Sequence, residues 1–363
     1  MARTFRNLWS RLVSWDNLLT AYAKCRRRKR SRPEAAAFDF AWEEHLLALQ
    51  ADLEQGTYRP GPYRNFYVYI PKRRKISAAP FRDRVVHHAV VRVLEPIYEP
   101  RFLYDSYACR RHKGTHRAIH RAQHYLRRHA YYLKTDLVKF FPNVDHGVLL
   151  DLLARRIRDE RLMELVGIIV GSGAGVLADE ATNELFPGDD LFAMLRPKGL
   201  PIGNLTSQFF ANVVLDPIDH FIKEELRVPG YVRYADDLLL FGDDKRQLWN
   251  WHDGLAERLA TMRMRLHADK TQLRATDIGL KFLGFVLERD GRRLQHTVLV
   301  RFNLRLRRLR WLWKHGQITP EEIRHSLAAS SAHASFGNSR GVLRAMWRRV
   351  RFARNHASAS ASN

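Results

Sequence analysis

The chain has 363 residues, 45% of them hydrophobic, enough for one large multi-lobed unit or two to three domains with real cores. Lys and Arg outnumber Asp and Glu by 62 to 38, a formal charge of +24, which points to a polyanionic partner, nucleic acid before an anionic membrane surface. No apolar run reaches the length of a membrane span, the first residues carry charges where a signal core would be apolar, and Cys25 and Cys109 form neither a metal-ligand pattern nor a disulfide framework. A cytoplasmic protein with no membrane partner is expected.

Residues 1–25 carry Leu8, Leu12, Trp15 and Leu19 at helical spacing. CRRRKRSRP (25–33) reads as a basic loop ended by Pro33. A second helix runs through FDFAWEEHLLALQADLEQG and stops at Gly56, a C-terminal glycine. YRPGPYRNFYVYIPKRRKISAAP (58–80) predicts strand, turn, strand. FRDRVVHHAVVRVLEPIYEP predicts a helix with Val86, Ala89, Val90, Val93 and Leu94 inward, and THRAIHRAQHYLRRH a basic helix. YYLKTDLVKFF (131–141) is a strand entering a turn, and 145–170 is helical. The Gly- and acid-rich stretch 171–190 reads as a loop or peripheral insertion. From about 275 to 352 a small β unit precedes basic helices, and ASASASN closes the chain as a disordered tail.

Two acidic pairs stand beside apolar runs, Asp236–Asp237 and Asp243–Asp244. The second follows Gly242 and precedes a helical pattern with Leu248, Leu255 and Leu259, so a helix N-cap or first-turn acid explains it. The first is different. YVRY and LLLF flank Ala235-Asp236-Asp237, which reads as a β-hairpin with carboxylates at its tip. Asp suits turns, but a turn gains nothing from a second, repelling acid. A divalent cation with hard oxygen ligands would relieve that repulsion. A third carboxylate, Asp136, lies 100 residues upstream at the end of an apolar strand. Three carboxylates on adjacent strand ends would make a two-metal site for phosphoryl transfer.

These residues resemble those of a reverse transcriptase: YADD between hydrophobic runs, an upstream D-x-x-x-F-F, and an intervening G-x-x-x-S, in that order over about residues 60–290. The resemblance implies an α+β right-hand polymerase, with fingers, an antiparallel palm sheet and a helical C-terminal thumb. It implies RNA-directed DNA polymerase activity with two Mg²⁺ ions, Mn²⁺ a possible substitute, held by Asp136, Asp236 and Asp237. The partners are then template RNA, the cDNA or primer, and dNTPs. By the same resemblance Lys270 in HADKT protonates the leaving pyrophosphate. Lys72 and Arg74 in PKRRKI hold the triphosphate, Arg suiting bidentate contact; the alternative is a generic basic turn. Phe141 sits under the sugar and excludes a 2′-hydroxyl, the alternative being a core Phe. GLKFLGF (279–285) grips the primer end.

The motif Ile202-Gly203-Asn204-Leu205-Thr206-Ser207-Gln208 is similar to that of diversity-generating retroelement reverse transcriptases, in which an apolar residue replaces Gln before the Gly and Gln208 follows the Ser. WDNLLTAY (15–22), YACRRHKGTH (107–116) and SSAHAS (330–335) agree. That family implies infidelity opposite template adenines, with Ile202 and Arg74 connected to it, and a small accessory protein as a further partner. A defence-associated reverse transcriptase and a catalytically idle RNA-binding protein of the same fold are the rival readings. In RFNLRLRRLRWLWKHG (301–316), Phe302, Leu306, Leu309 and Trp313 share one helix face and Arg301, Arg305 and Arg308 another. Residues 301–363 hold 13 Lys or Arg and two acids. This suits a thumb gripping an RNA–DNA backbone. The expected division is an N-terminal helical extension (1–56), fingers (57–130), palm with part of the fingers (131–275), primer-grip strands and thumb (276–352), and the tail (353–363).

Overall fold

The computed structural model of the chain describes residues 3–69 and 73–339, and beyond them Gly341, Arg344 and Ala345. Lys72 and the 353–363 tail lie outside the described residues. The N-terminal periodicity becomes two helices, α1 (Trp9–Val13) and α2 (Trp15–Arg26), because Ser14 turns extended and its side chain caps α2 by accepting from the Asn17 N–H. Pro33 does not end a loop alone. It opens α3 (Pro33–Phe40) at a first-turn position, where a missing N–H costs nothing. The chain kinks at Ala41, and α4 (Trp42–Gln55) ends on left-handed Gly56.

Next comes an antiparallel hairpin, β1 (Arg64–Val68) and β2 (Arg74–Ala78). In α5 (Phe81–Tyr98) the inward stripe predicted from the sequence is fully buried. The basic helix α6 (Thr115–Arg128) then leads into β3 (Tyr131–Asp136). A short α7 (Phe140–Asn143), then α8 (His146–Ala154), α9 (Glu160–Gly171) and α10 (Leu205–His220), separate β3 from the hairpin β4 (Gly230–Tyr234) and β5 (Asp237–Gly242). Helix α11 (Lys245–Ala260) and β6 (Gln272–Ala275) follow.

The central sheet is antiparallel in the order β4-β5-β3-β6. Its pleat sorts alternate residues to two cores. Leu238 and Leu240 of β5, Leu133 of β3 and Tyr231 of β4 face one cluster, shared with α5, α8, α9 and α10. Leu239, Phe241, Tyr132 and Val232 face a second, shared with α6 and the C-terminal elements. A strand covered on both sides has no polar face, which explains the unbroken LLLF run.

A three-stranded sheet, β7 (Leu280–Phe282), β8 (Phe285–Leu287) and β9 (Arg292–Leu294), caps the second core. Two helices, α12 (His296–Lys314) and α13 (Pro320–Ser335), complete it, the latter opened by a Thr319–Glu322 capping box. The α+β architecture with an antiparallel sheet and helical C-terminal region is the one the sequence predicts. Among the described residues no helix is long and apolar enough to cross a membrane.

Residues 172–197 form a loop with one 3₁₀ turn at Leu191–Leu195. It is strapped down by charge: Asp189 meets Arg196 at 2.7 Å and Arg263 at 3.1 Å, Arg196 meets Asp145 at 3.0 Å, Glu184 meets Arg265 at 3.2 Å, and Asp179 meets Lys75 of β2 at 2.8 Å.

Candidate active site

Strand register brings the three carboxylates to one end of the central sheet. Asp136, last in β3, stands opposite Asp237, first in β5, and Tyr234 pairs with Asp237 across the hairpin. The connection between β4 and β5 is therefore Ala235 and Asp236 alone. A two-residue loop needs a left-handed residue, and Ala235 supplies it at φ +55° without being glycine. Lys139, three residues after Asp136, sits at φ +42°. Both loops that present acids thus hold a residue in a sparsely allowed conformation, at a cost on the order of 1–3 kcal/mol each.

Arg233 secures the hairpin tip from beneath. It is fully buried and grips buried Asp219 of α10 through Nε and Nη2, each at 2.6 Å. Its Nη1 donates to Asn212 and, at 3.3 Å, to the Ala235 carbonyl in the turn itself. The Tyr231 hydroxyl donates to Asp219 at 2.7 Å.

The site carries excess negative charge. Burial, then the Asp136 charge, pushes the Asp236 carboxyl up to about 6, with Asp237 adding to the repulsion. The Lys270 ammonium donates to Asp136 Oδ2 at 2.5 Å, while Asp136 Oδ1 is buried and has no hydrogen-bond partner among the described residues. The Lys134 ammonium lies 3.9 Å from Asp237 Oδ1 and donates to the Lys281 carbonyl of β7 at 3.0 Å, linking the carboxylates to the β7–β8 hairpin. Among the described residues no three His, Cys, Asp or Glu side chains converge closely enough to hold an ion as they stand. The donor set nonetheless fits a hard divalent cation: all-oxygen ligands, one orphaned buried oxygen, and a carboxyl that burial and its neighbours make costly to ionise.

The profile of the reverse transcriptase (RNA-dependent DNA polymerase) family matches residues 70–287, more than half of the chain and all three carboxylates. The chain belongs to that family. Protein YkfC of Escherichia coli K12 is 27% identical over 293 residues, 68% of this chain and 72% of the relative. The group II intron-encoded protein LtrA of Lactococcus lactis subsp. cremoris is 26% identical over 224 residues, 60% of this chain. The chain spans only 35% of that intron-encoded relative's length. A telomerase structure from Candida albicans aligns at a TM-score of 0.42 with 14% identity, over 72% of this chain and 52% of that one, too slight a likeness to argue from.

The other positions singled out in the sequence fall into two groups. In the first, Arg74 opens β2 and is exposed, with Arg73 beside it over the Tyr67 ring at 4.3 Å. Ile202 is half-buried, and its carbonyl accepts the Ser77 N–H at 2.8 Å. Gly203 is at φ +116°, where a Cβ would meet Ile76 Cγ2 at 2.9 Å, so the close approach to β2 requires glycine. The Asn204 amide donates to the Ser77 and Pro201 carbonyls and accepts from the Ala79 N–H, while Ser207 Oγ donates to the Pro201 carbonyl at 2.7 Å. The G-N-x-x-S spacing thus bolts the N-terminus of α10 to the root of the β1–β2 hairpin. Gln208 is exposed on α10. Phe141 is half-buried against the core, edge-on to Phe140 at 5.3 Å, and its carbonyl accepts the Leu200 N–H at 2.8 Å.

The second group lies on other elements. Arg301, Arg305 and Arg308 occupy the outer side of α12, whose Phe302, Leu306 and Leu309 are buried. Arg301 Nε donates to the Thr297 carbonyl. The 107–116 and 330–335 segments meet where His116 stacks toward His333 at 6.3 Å, beside Phe336 at 3.8 Å from His116.

The second acidic pair divides. Asp244 caps α11 by accepting from the Arg246 N–H at 2.8 Å. Asp243 stays outside the helix and accepts from the Ala130 N–H at 2.8 Å, beside His129, and these contacts hold its carboxyl below the usual range. Sequence reasoning missed Arg233, Asp219 and Asn204. The signal for Arg233 was available: a cation inside a strand whose neighbours are all apolar demands a buried partner.

Proposed function

We propose that the protein copies an RNA template into cDNA at the carboxylate end of the central sheet, and does so inaccurately opposite adenine. The observation that carries the catalytic reading is the junction of Asp136, Asp236 and Asp237, with an orphaned oxygen on Asp136 and a carboxyl of raised pKa on Asp236. Asp136, Asp236 and Asp237 would hold two Mg²⁺ ions, or Mn²⁺ in their place. Bound there, such ions acidify a primer 3′-hydroxyl and neutralise triphosphate charge. Lys270 balances Asp136 until that carboxylate is engaged, then turns its ammonium to protonate the departing pyrophosphate. Arg74, with Lys72 preceding it, grips the triphosphate. Phe141 fills the space a ribose 2′-hydroxyl would need. The outward arginines Arg301, Arg305 and Arg308 hold the backbone of the product duplex.

On this reading residues 57–130 are fingers, 131–275 palm and 276–352 primer grip and thumb. Ile202 sits where a Gln could hydrogen-bond the pairing nucleotide, and an apolar side chain gives up that discrimination. This supports a diversity-generating role over a defence role. Primer extension with oligo(dT) on poly(rA), with and without Mg²⁺, tests the activity. Metal-dependent extension is expected, and its absence in folded protein sinks the reading. Sequencing cDNA from an adenine-containing template tests the subtype: a uniformly low error rate would remove it.

A further inference from the structure

Helix α10 is about 24 Å long at 1.5 Å per residue, and its end remote from Asn204 borders a second concentration of function-like chemistry. There Arg101, after α5, and Arg155, Arg156 and Arg158, between α8 and α9, join Asp216 and His220 of α10 around an open pocket of about 430 Å³. That volume suits a small ligand or a segment of a polymer. None of these residues takes part in the carboxylate site.

The charges are not balanced within the fold. Burial, then the nearby Arg101 charge, holds the Arg156 guanidinium below its usual pKa. Arg156 donates to the Arg3 carbonyl at 3.3 Å. Among the described residues the Arg101, Arg155 and Arg158 side chains have no ion-pair or hydrogen-bond partner. Asp216 is the pocket's one carboxylate, and its Oδ1 is buried without a hydrogen-bond donor. His220 Nε2 stands 3.5 Å from it but is engaged with the Arg101 carbonyl, and Nδ1 with Glu224. The carboxyl is pushed up to about 6 by burial and then by Asp219, the reverse of what direct pairing with the arginines would do. Four guanidiniums, none ion-paired to the pocket's single carboxylate among the described residues, call for phosphate oxygens, which the planar fork matches. A buried orphan acceptor among them calls for a donor, which a phosphodiester lacks and a ribose 2′-hydroxyl has.

We propose that this pocket is a second RNA-binding site, with the arginines on backbone phosphates and Asp216 on a ribose 2′-hydroxyl. It stands on its own geometry, so the Asp236→Asn variant should bind here as the wild type does even when it adds no nucleotide.

The test is fluorescence anisotropy of the full chain with a labelled single-stranded RNA, the same sequence as DNA, and a labelled ATP. Arg155→Glu/Arg158→Glu, both exposed positions, should weaken RNA binding about tenfold or more. It should also flatten the dependence of log affinity on log salt by about 1–2. Asp216→Ala should reduce the preference for RNA over DNA by about two- to tenfold, the worth of one hydrogen bond, with DNA affinity unchanged. Asp216→Asn, which keeps a carbonyl acceptor, should restore part of it. Arg128→Glu/Arg246→Glu carries the same charge change on α6 and α11 and should cost less. An equal loss from that control pair, or unchanged RNA affinity in the pocket variants, overturns the proposal. So does lost ATP binding with RNA binding intact, which would assign the pocket to a free nucleotide.

Discussion

Replacing Arg233 with Met should be among the most damaging single changes away from the carboxylates. Both Arg233 and Asp219 have side chains with 0% exposure. The substitution removes two 2.6 Å charge-assisted hydrogen bonds from Asp219, which among the described residues keeps the Tyr231 hydroxyl as its one side-chain donor. It also takes a donor from the Ala235 carbonyl in the turn that carries Asp236. Stranding one member of a buried ion pair costs about 3–5 kcal/mol, a large share of the 5–15 kcal/mol typical of a folded domain. Urea unfolding should show the midpoint fall at constant slope. The double variant Arg233→Met/Asp219→Asn should lose less than the sum of its single variants, because no uncompensated charge remains. Nucleotide addition at a temperature where Arg233→Met is folded should still drop, since the turn has lost its support. A cost under about 1 kcal/mol, or strict additivity in the cycle, would show that Arg233 and Asp219 do not act as a buried pair.

Three further outcomes follow from single side chains. Phe141→Ala should raise the ratio of rNTP to dNTP incorporation; an unchanged ratio in folded protein returns the ring to a packing role. Ile202→Gln should lower misincorporation opposite adenine by roughly two- to tenfold, one hydrogen bond's worth, read by sequencing cDNA beside the wild type; equal error frequencies would take Ile202 out of the fidelity account. Burial, followed by neighbouring cations, depresses His87 to about 3 and His88 to about 4. Below the unfolded value of about 6.5 the unfolded chain binds the protons first, so stability present at neutral pH is lost as pH falls. Between pH 7 and 5 buried His87 should remove about 2 kcal/mol, and His87→Phe should flatten that slope in urea titrations at several pH values; a parallel slope in the variant contradicts it.

What was legible in the sequence follows from the range of the forces involved. Period-two burial on both faces of β5 wrote LLLF plainly, and the flanking strands distinguished Asp236–Asp237 from the helix-start pair. The helix break at Ala41 was not legible, since no Pro or Gly marks it and packing sets it. Nor was the division of labour between Asp243 and Asp244, because the donors to Asp243 come from residues 129–130, over 110 positions away. The Arg233–Asp219 grip and the Lys270–Asp136 pair are likewise tertiary. Composition could not tell that the acidic 171–197 segment spends its charges on Arg196, Arg263, Arg265 and Lys75. The meeting of Asp136 with Asp237 depends on strand register, which the hydrophobic pattern constrains and the two-residue turn fixes.

Nucleotide addition should depend on the carboxylates at the sheet end and not on the neighbouring acidic pair. The direct measurement is oligo(dT) extension on poly(rA) with Mg²⁺ for wild type, Asp136→Asn, Asp236→Asn and Asp243→Asn, with RNA binding recorded for each. Asp136→Asn and Asp236→Asn should bind RNA and add no nucleotides. Asp243→Asn should lose only part of its exposed contacts to residues 129–130, about 1 kcal/mol or less, and remain active. Extension near the wild-type rate by Asp136→Asn or Asp236→Asn, or an inactive but folded Asp243→Asn beside an active Asp236→Asn, would contradict the assignment.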